Sequence, residues 1–281
     1  MSRDGAPRRY AVVGDPVAHS LSPLIHNEWI RAAGVAADYG RVRLASQQAA
    51  EDLRAMSAEY SGLNVTLPHK IAALKAAARA DDLALQVGAA NTLVNDNGQW
   101  TAWNTDVGGF TEAVRAALGE MPSGLEVVLI GAGGAARAAL VSLVGARARV
   151  RIVNRTRDRA EQLAGELAPG APTGGFEALA GFARTADLVV NSASLGHDGA
   201  GLPELGPGGA RVFLDLSYGP AAAGALRAAS AAGWTPHDGL PMLVAQAAGA
   251  FRLWFGRDPD QAQALGACRA RLAGPQEAQS S

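Results

Sequence analysis

Gly131-Ala132-Gly133-Gly134-Ala135-Ala136 fits the pattern G-x-G-x-x-A directly after an apolar run at 126–130 and before an alanine-rich stretch. Glycines in that pattern permit a tight turn and let backbone N–H groups approach a pyrophosphate at a helix N-terminus. The next apolar run, 149–153, ends in Asn154-Arg155-Thr156, with Arg159 one turn further on. An Asp or Glu there would accept hydrogen bonds from the ribose 2′-hydroxyl of NAD and would repel a 2′-phosphate, whereas arginine pairs with that phosphate. The residues therefore point to a dinucleotide site that takes NADP. Lys70 is notable for a different reason. The chain holds 25 Lys and Arg residues, and only Lys70 and Lys75 are lysines. Where arginine supplies the routine positive charge, a retained lysine is a candidate for chemistry.

Composition narrows the partners. Hydrophobic residues make up 48% of the chain, enough for sizeable cores, and the formal net charge is −1. The positive residues are scattered, and Arg147, Arg149 and Arg151 read as lying along a strand beside the glycine turn. Nothing draws the chain to nucleic acid or to an anionic membrane, which need clustered positive charge. The lone cysteine, Cys268, excludes an internal disulfide and a cysteine-based zinc site. His19, His26 and His69 lack metal-ligand spacing and read as structural, so no metal is expected. No run approaches the roughly 20 apolar residues of a membrane helix. MSRDGAPRRY at the start has no apolar stretch following it and does not read as a secretory signal, so a cytoplasmic protein is expected.

The elements that must position these residues alternate. A chain of 281 residues makes one large domain or two modest ones. YAVVG (10–14) reads as a buried strand, and Ser22-Pro23 opens a helix to about Ala33, with serine as a good N-cap and proline tolerated in the first turn. ADYGRVRL (37–44) alternates like a strand, 47–59 reads as a helix, and GLNV (62–65) as a strand. A further helix starts near Pro68, and 90–104 suggests two strands. Strands separated by helices imply a parallel sheet covered on both faces. A second α/β unit begins after about residue 107, with strands in EVVLI, RVRIV, ADLVV and ARVFLDL. Helical patterning resumes from Leu240 through Trp254 and again after Asp260.

Several motifs occur in order along the chain: Gly14-Asp15-Pro16-Val17-Ala18-His19-Ser20-Leu21-Ser22-Pro23, Asn64-Val65-Thr66-Leu67-Pro68-His69-Lys70, Gly88-Ala89-Ala90-Asn91-Thr92, Asn104-Thr105-Asp106 and Met242-Leu243-Val244-Ala245-Gln246-Ala247. With the glycine turn and Asn154-Arg155-Thr156, they resemble the shikimate dehydrogenases over nearly the whole chain. The resemblance implies an α/β fold of two domains with a cleft between them. The N-terminal substrate domain would be 1–106 plus 240–281, and the Rossmann NADP domain 107–239. The activity implied is reversible, NADPH-dependent reduction of the ring ketone 3-dehydroshikimate to shikimate, in a protein that is a monomer or a homodimer. Hydride delivery to a carbonyl builds alkoxide charge that needs a cation or proton donor. By resemblance, Lys70 supplies it and Asp106 orients the lysine and holds a substrate hydroxyl. Ser20 and Ser22 match the family's carboxylate-binding pair, Thr66, Asn91 and Gln246 the residues that read ring hydroxyls, and Tyr218 a tyrosine near the substrate. Gly131, Ala132, Gly133, Gly134, Ala135, Asn154, Arg155, Thr156 and Arg159 match the cofactor site. Leu216 and Gly239 match its nicotinamide end, and Asp82 an acidic position near the cofactor.

Departures from the family pattern fall elsewhere. Asn191-Ser192-Ala193-Ser194-Leu195-Gly196 lacks the usual threonine, leaving Ser192 or Ser194 to supply a hydroxyl. Asp215-Leu216-Ser217-Tyr218-Gly219-Pro220 differs beside its tyrosine, and Asp238-Gly239-Leu240-Pro241 has a proline that would stiffen the chain near the nicotinamide. Ala90 and Ala102 replace commoner Val and Gly. These positions bear on affinity and substrate range. Two alternatives remain: a paralogue acting on quinate or an amino-shikimate, and a non-catalytic NADP-binding sensor. The intact serine pair and Arg155 weigh against the first; the presence of both Lys70 and Asp106 weighs against the second.

Overall fold

The computed structural model describes residues 7–121, 123–193, 195, 201–209 and 211–274. The chain divides into two compact units, Met1–Thr105 with Val244–Ser281, and Asp106–Leu243.

The first unit contains β1 (Arg8–Gly14), α1 (Ser22–Ala32), β2 (Ala37–Arg43), α2 (Ala49–Ala55), β3 (Gly62–Val65), α3 (Lys70–Ala76), β4 (Arg79–Ala80), α4 (Asp82–Val87), β5 (Thr92–Asp96) and β6 (Gln99–Trp103). Its six strands are ordered β2-β1-β3-β5-β6-β4. The apolar β1 and GLNV of β3 sit in the interior of the sheet, with every β3 residue buried. The sheet is mixed, which departs from the parallel sheet expected from alternation. β1 runs parallel to β2 and β3, but β5 is antiparallel to both β3 and β6. The reason is local: no helix separates β5 from β6, only Asn97-Gly98, both at positive φ (52° and 83°). Two such residues make the tight turn that suits a hairpin's twist.

Two further expectations shift. The helix read over 47–59 covers only Ala49–Ala55 and then tightens to a 3₁₀ turn at Met56–Ala58, where Ser57 Oγ donates back to the Arg54 carbonyl. Ser22 is the first residue of α1, not its cap; Leu21 takes the cap position without a side-chain bond.

The second unit begins with α5 (Asp106–Leu118), β7 (Glu126–Ile130), α6 (Gly134–Gly145), β8 (Arg149–Val153), α7 (Arg157–Leu167) and β9 (Thr173–Gly174). It continues with α8 (Leu179–Ala183), β10 (Leu188–Asn191), β11 (Val212–Asp215), α9 (Pro220–Ala231) and β12 (Thr235–His237). Its six-stranded order is β12-β11-β10-β7-β8-β9, and all neighbours pair in parallel. This is the doubly wound dinucleotide-binding order, in which the connections reverse between β7 and β10. Val127, Leu129, Val190 and Leu214 bury one face against α6, and Val128, Ile130, Val189 and Phe213 pack in a separate cluster with α8 and α9 residues. Arg149 and Arg151, on β8 as expected, both pair with Glu126 of β7.

The chain leaves the second unit within α10 (Leu240–Phe255) and ends with α11 (Gln261–Ala273), capped by Asp260 through Gln263 N at 2.9 Å. In the first unit Trp254 Nε1 donates to the Leu93 carbonyl at 3.1 Å, and Trp29 Nε1 to that of Asp260 at 2.9 Å. A Cβ on Gly62 would lie 2.3 Å from Trp254 Nε1, so the glycine makes room for the indole.

Candidate active site

The first unit gathers small neutral polar side chains where its strands end. Gly14 closes β1, and a Cβ there would meet Thr66 Cγ2 at 2.4 Å. That close approach lets Asp15 N donate to the Leu67 carbonyl at 3.0 Å, tying the loop that carries Ser20 to the one that carries Thr66. Ser20 Oγ donates to Ser22 Oγ at 3.2 Å, so the sequence-predicted pair is together, and Ser22 is buried. Asn91, 2% exposed, donates from Nδ2 to Thr105 Oγ1 at 2.8 Å and Gln246 Oε1 at 3.1 Å, while its Oδ1 accepts from Thr105 N at 2.7 Å. Gln246 thus reaches Asn91 from 155 residues away, because α10 returns the chain to the first unit.

Lys70 is the first residue of α3 and half-buried. The turn before it is closed by His69 N donating to the Thr66 carbonyl at 2.9 Å, and Ala90 N donates to the Lys70 carbonyl at 2.9 Å. His69 Nε2 lies 2.5 Å from the Leu44 carbonyl, a structural role as expected. Asp82 opens α4 behind the cap Asp81, whose Oδ1 accepts from Ala84 N at 2.9 Å. It belongs to the first unit, whereas the glycine turn lies in the second.

His26 carries no polar contact at all: both ring nitrogens are buried without a hydrogen-bond partner. Its ring stacks on Tyr39 with centroids 4.3 Å apart and 12° between planes. Desolvation drives its pKa down to about 3, with the nearby Asn64 side chain pulling weakly the other way.

The second unit supplies a backbone site. Gly131 has φ +111°, a conformation that L side chains rarely adopt, and a Cβ there would meet Ser192 Oγ at 2.4 Å. Gly133 stands at the N-cap of α6 with no side-chain cap, so Gly134, Ala135 and Ala136 present their N–H groups to whatever lies before the helix. Asn154 Nδ2 donates to the Thr156 carbonyl at 2.8 Å, and Arg159 N to the same oxygen at 3.0 Å, shaping the turn into α7. Arg155, Thr156 and Arg159 are exposed on that turn. Residues present here fit a dinucleotide bearing a 2′-phosphate: space without side chains at the turn, and guanidinium groups after the second strand.

Asp106, 3% exposed, is the first residue of α5. Tyr218 is half-buried in the loop from β11 to α9. Gly239 allows its backbone to press on Leu216: a Cβ would stand 2.1 Å from the Leu216 carbonyl. Pro241 falls in the first turn of α10, where an N–H is not needed, and Asp238 Oδ1 accepts from Leu240 N at 3.2 Å. Ser192 Oγ donates its proton to the Ile130 carbonyl at 2.7 Å, while Ser194 and Gly196 lie outside the described residues.

Sequence reasoning gave Tyr39 no role, and quoted Asn64, Thr92, Asn191 and Asp215 only within their motifs. Asp215 is buried; its Oδ2 accepts from Asn191 Nδ2 at 2.9 Å and its Oδ1 from Ser217 N at 2.8 Å. Desolvation raises its pKa, and Asp238 adds to the rise. The available signal was polarity in the wrong place: Asn64 and Asp215 each stand in a strand whose other residues are all apolar or glycine.

A doubly wound sheet with this glycine turn, joined to a second α/β unit rich in buried hydrogen-bonding side chains, defines a dinucleotide-dependent oxidoreductase. Comparison with known proteins gives the family. Residues 12–93 match the shikimate dehydrogenase substrate binding domain, 114–197 the shikimate/quinate 5-dehydrogenase family, and 239–269 the shikimate 5′-dehydrogenase C-terminal domain. The shikimate dehydrogenase (NADP(+)) of Hyphomonas neptunium is 46% identical over 260 residues, covering 92% of this chain and 95% of that protein. The crystal structure of the Thermus thermophilus shikimate 5-dehydrogenase in complex with NADP(H) and shikimate superposes with a TM-score of 0.80 at 35% identity, covering 94% and 100% of the two chains. A ligand-free 5-ketofructose reductase of Gluconobacter also superposes, with a TM-score of 0.73 at 28% identity, covering 93% and 99%. The chain belongs to the shikimate dehydrogenase family.

Proposed function

We propose that this enzyme catalyses the reversible NADP-dependent interconversion of shikimate and 3-dehydroshikimate, a step of the shikimate pathway of aromatic amino-acid biosynthesis. The observation that carries it is the Asn91–Thr105–Gln246 cluster together with the Ser20–Ser22 pair. Neutral donors and acceptors held in a buried network discriminate strongly for a ligand with hydroxyls at matching places, since a missing hydroxyl leaves a buried group unpaired. The related reductase of 5-ketofructose shares the fold, so these side chains, not the architecture, would choose the substrate.

A dinucleotide held here would supply or take the hydride. Lys70 holds the proton at the carbonyl oxygen as alkoxide charge develops, and Asp106 orients Lys70 and accepts a ring hydroxyl. Ser20 and Ser22 donate to the carboxylate, Thr66, Asn91 and Gln246 read hydroxyls, and Tyr218 borders the ring. Gly131 to Ala135 would hold the pyrophosphate, Asn154, Arg155, Thr156 and Arg159 the 2′-phosphate side, and Leu216 and Gly239 the nicotinamide, with Asp82 near the cofactor. The substrate domain would be 1–106 plus 240–281 and the NADP domain 107–239, in a cytoplasmic monomer or homodimer.

The test is reduced-cofactor formation with shikimate and with quinate, under NADP and NAD. Fastest turnover with shikimate and NADP is expected. No turnover of either ring alcohol would sink the enzyme reading, and faster turnover with quinate and NAD would overturn the substrate and cofactor together.

A further inference from the structure

We propose that Arg41 is a specificity-determining residue of the substrate site: its guanidinium supplies the positive charge that a carboxylate seated on the Ser20–Ser22 pair requires. The inference rests on the substrate reading above and deepens it. Its geometry lies wholly within the first unit.

The segment from Asp15 to Leu21 joins β1 to α1, and β2 grips it from beside. Tyr39, Arg41 and Arg43 alternate along β2, an edge strand, and so share one face. Tyr39 is buried there, whereas Arg41 and Arg43 are exposed and reach for the segment. Arg43 Nε donates to Asp15 Oδ1 at 2.8 Å. Arg41 donates from Nη2 at 2.7 Å and from Nε at 3.2 Å to a single acceptor, the Ser20 carbonyl. Ser20 is thus held by its backbone in the residue whose hydroxyl donates to Ser22.

The two arginines differ in what becomes of their charge. Asp15 neutralises Arg43, as Glu59 does Arg9 and Asp96 does Arg79 in the same unit. A carbonyl neutralises nothing. Among the described residues Arg41 has no carboxylate partner, and its Nη1 meets no acceptor.

Ser20 and Ser22 bring hydroxyls without charge, and Ser22 is buried. A carboxylate placed on them loses water on that side, a cost that neutral donors offset only in part and a nearby cation offsets further. Within one residue the carbonyl and hydroxyl oxygens are at most about 5 Å apart by covalent geometry. The guanidinium therefore stands within about 8 Å of the Ser20 hydroxyl, about one Debye length in physiological salt. Arginine suits both tasks, since its fork holds the carbonyl while the group keeps its full charge. A ring bearing an uncharged group in place of the carboxylate would gain nothing from Arg41, and this is the discrimination the residue supplies.

The experiment compares the full-length wild type with Arg41→Gln and Arg41→Lys, on shikimate and on its uncharged methyl ester, reading KM, kcat and the NADP KM. Arg41→Gln removes the charge and retains an N–H donor for the Ser20 carbonyl. It is expected to raise the shikimate KM about three- to fivefold, the range of one exposed charge pair, with kcat and the NADP KM within about twofold. The ester KM should stay unchanged, so the preference for acid over ester falls by the same factor. Arg41→Lys should retain most of that preference. Raising NaCl from about 25 to about 300 mM should weaken shikimate use by the wild type more than by Arg41→Gln, because salt screens the charge. Equal KM rises for acid and ester would leave Arg41 a clamp on the loop and overturn the proposal. So would an unchanged shikimate KM, a preference lost equally in the lysine variant, or the same salt dependence in wild type and Arg41→Gln. Failure of the wild type to oxidise shikimate would strike the substrate reading itself and take this proposal with it, an outcome distinct from an active wild type with an indifferent Arg41.

Discussion

The two units solve recognition with different parts of the chain. In the first, side chains do the work: Ser20 pairs with Ser22, and Asn64, Asn91, Thr92, Thr105 and Gln246 are linked by hydrogen bonds between neutral groups. In the second, the backbone does it: Gly131 and Gly133 clear side chains away from the end of β7, and a buried carboxylate, Asp215, pins the neighbouring loops. The physical reason lies in the proposed ligands. A ring with hydroxyls at set angles needs acceptors and donors of individual placement, whereas a pyrophosphate needs a close approach of several N–H groups. Neutral networks keep their pattern as pH changes. A buried carboxylate does not.

The sharpest way to break the comparison is at Lys70, the charged residue that the proposed site adds to these neutral groups. Lys70→Ala is expected to lower kcat by about two to four orders of magnitude, the range for a proton donor acting in the transition state, with a much smaller change in shikimate KM. A rise in KM alone would make Lys70 a binding residue. In the second unit, Arg155→Asp should weaken NADP about a hundredfold more than NAD, since it replaces a phosphate partner with a repelling carboxylate. Equal loss of both cofactors in equilibrium titrations would remove the phosphate-reading role.

Two pH measurements refine the contrast. His26 has a folded pKa of about 3 against an ordinary 6.5, so the unfolded chain binds the extra proton between those values. Its contribution to stability is present above pH 6.5 and is lost as pH falls, at up to about 1.4 kcal/mol per unit. His26→Phe should keep the aromatic stack and flatten that slope in urea titrations between pH 7 and 5; identical slopes would clear His26 of the effect. Asp215 works in the opposite sense. Its folded pKa is raised above the ordinary 3.8, so its contribution is full below that value and declines as pH rises through the raised one. Asp215→Asn should remove this decline, the smallest of the four effects, because Asn191 and Ser217 already offset part of the desolvation. An unchanged profile between pH 4 and 6 would show that the carboxylate is not the group responsible.

Much of this was legible along the chain. The strand at 62–65, the glycine turn with its flanking strand and helix, and the long C-terminal helices follow from patterns only a few residues long. The antiparallel β5 was harder, because Asn97-Gly98 marks a hairpin while the surrounding alternation suggests parallel crossovers. Ser22 misled for a related reason. Serine before proline is a good cap, but its hydroxyl accepts from Ser20 instead, and Leu21 takes the cap position.

By itself the sequence determined the fold class, the dinucleotide turn and the family, since each depends on neighbours in the chain or on ordered motifs. Only the tertiary structure decided which polar groups share protons. Tyr39 and Asn64 are 25 residues apart, Asn191 and Asp215 are 24 apart, and Asn91 and Gln246 are 155 apart. A hydrogen bond's direction depends on every other partner of both groups, and those partners exist only once the strands are paired.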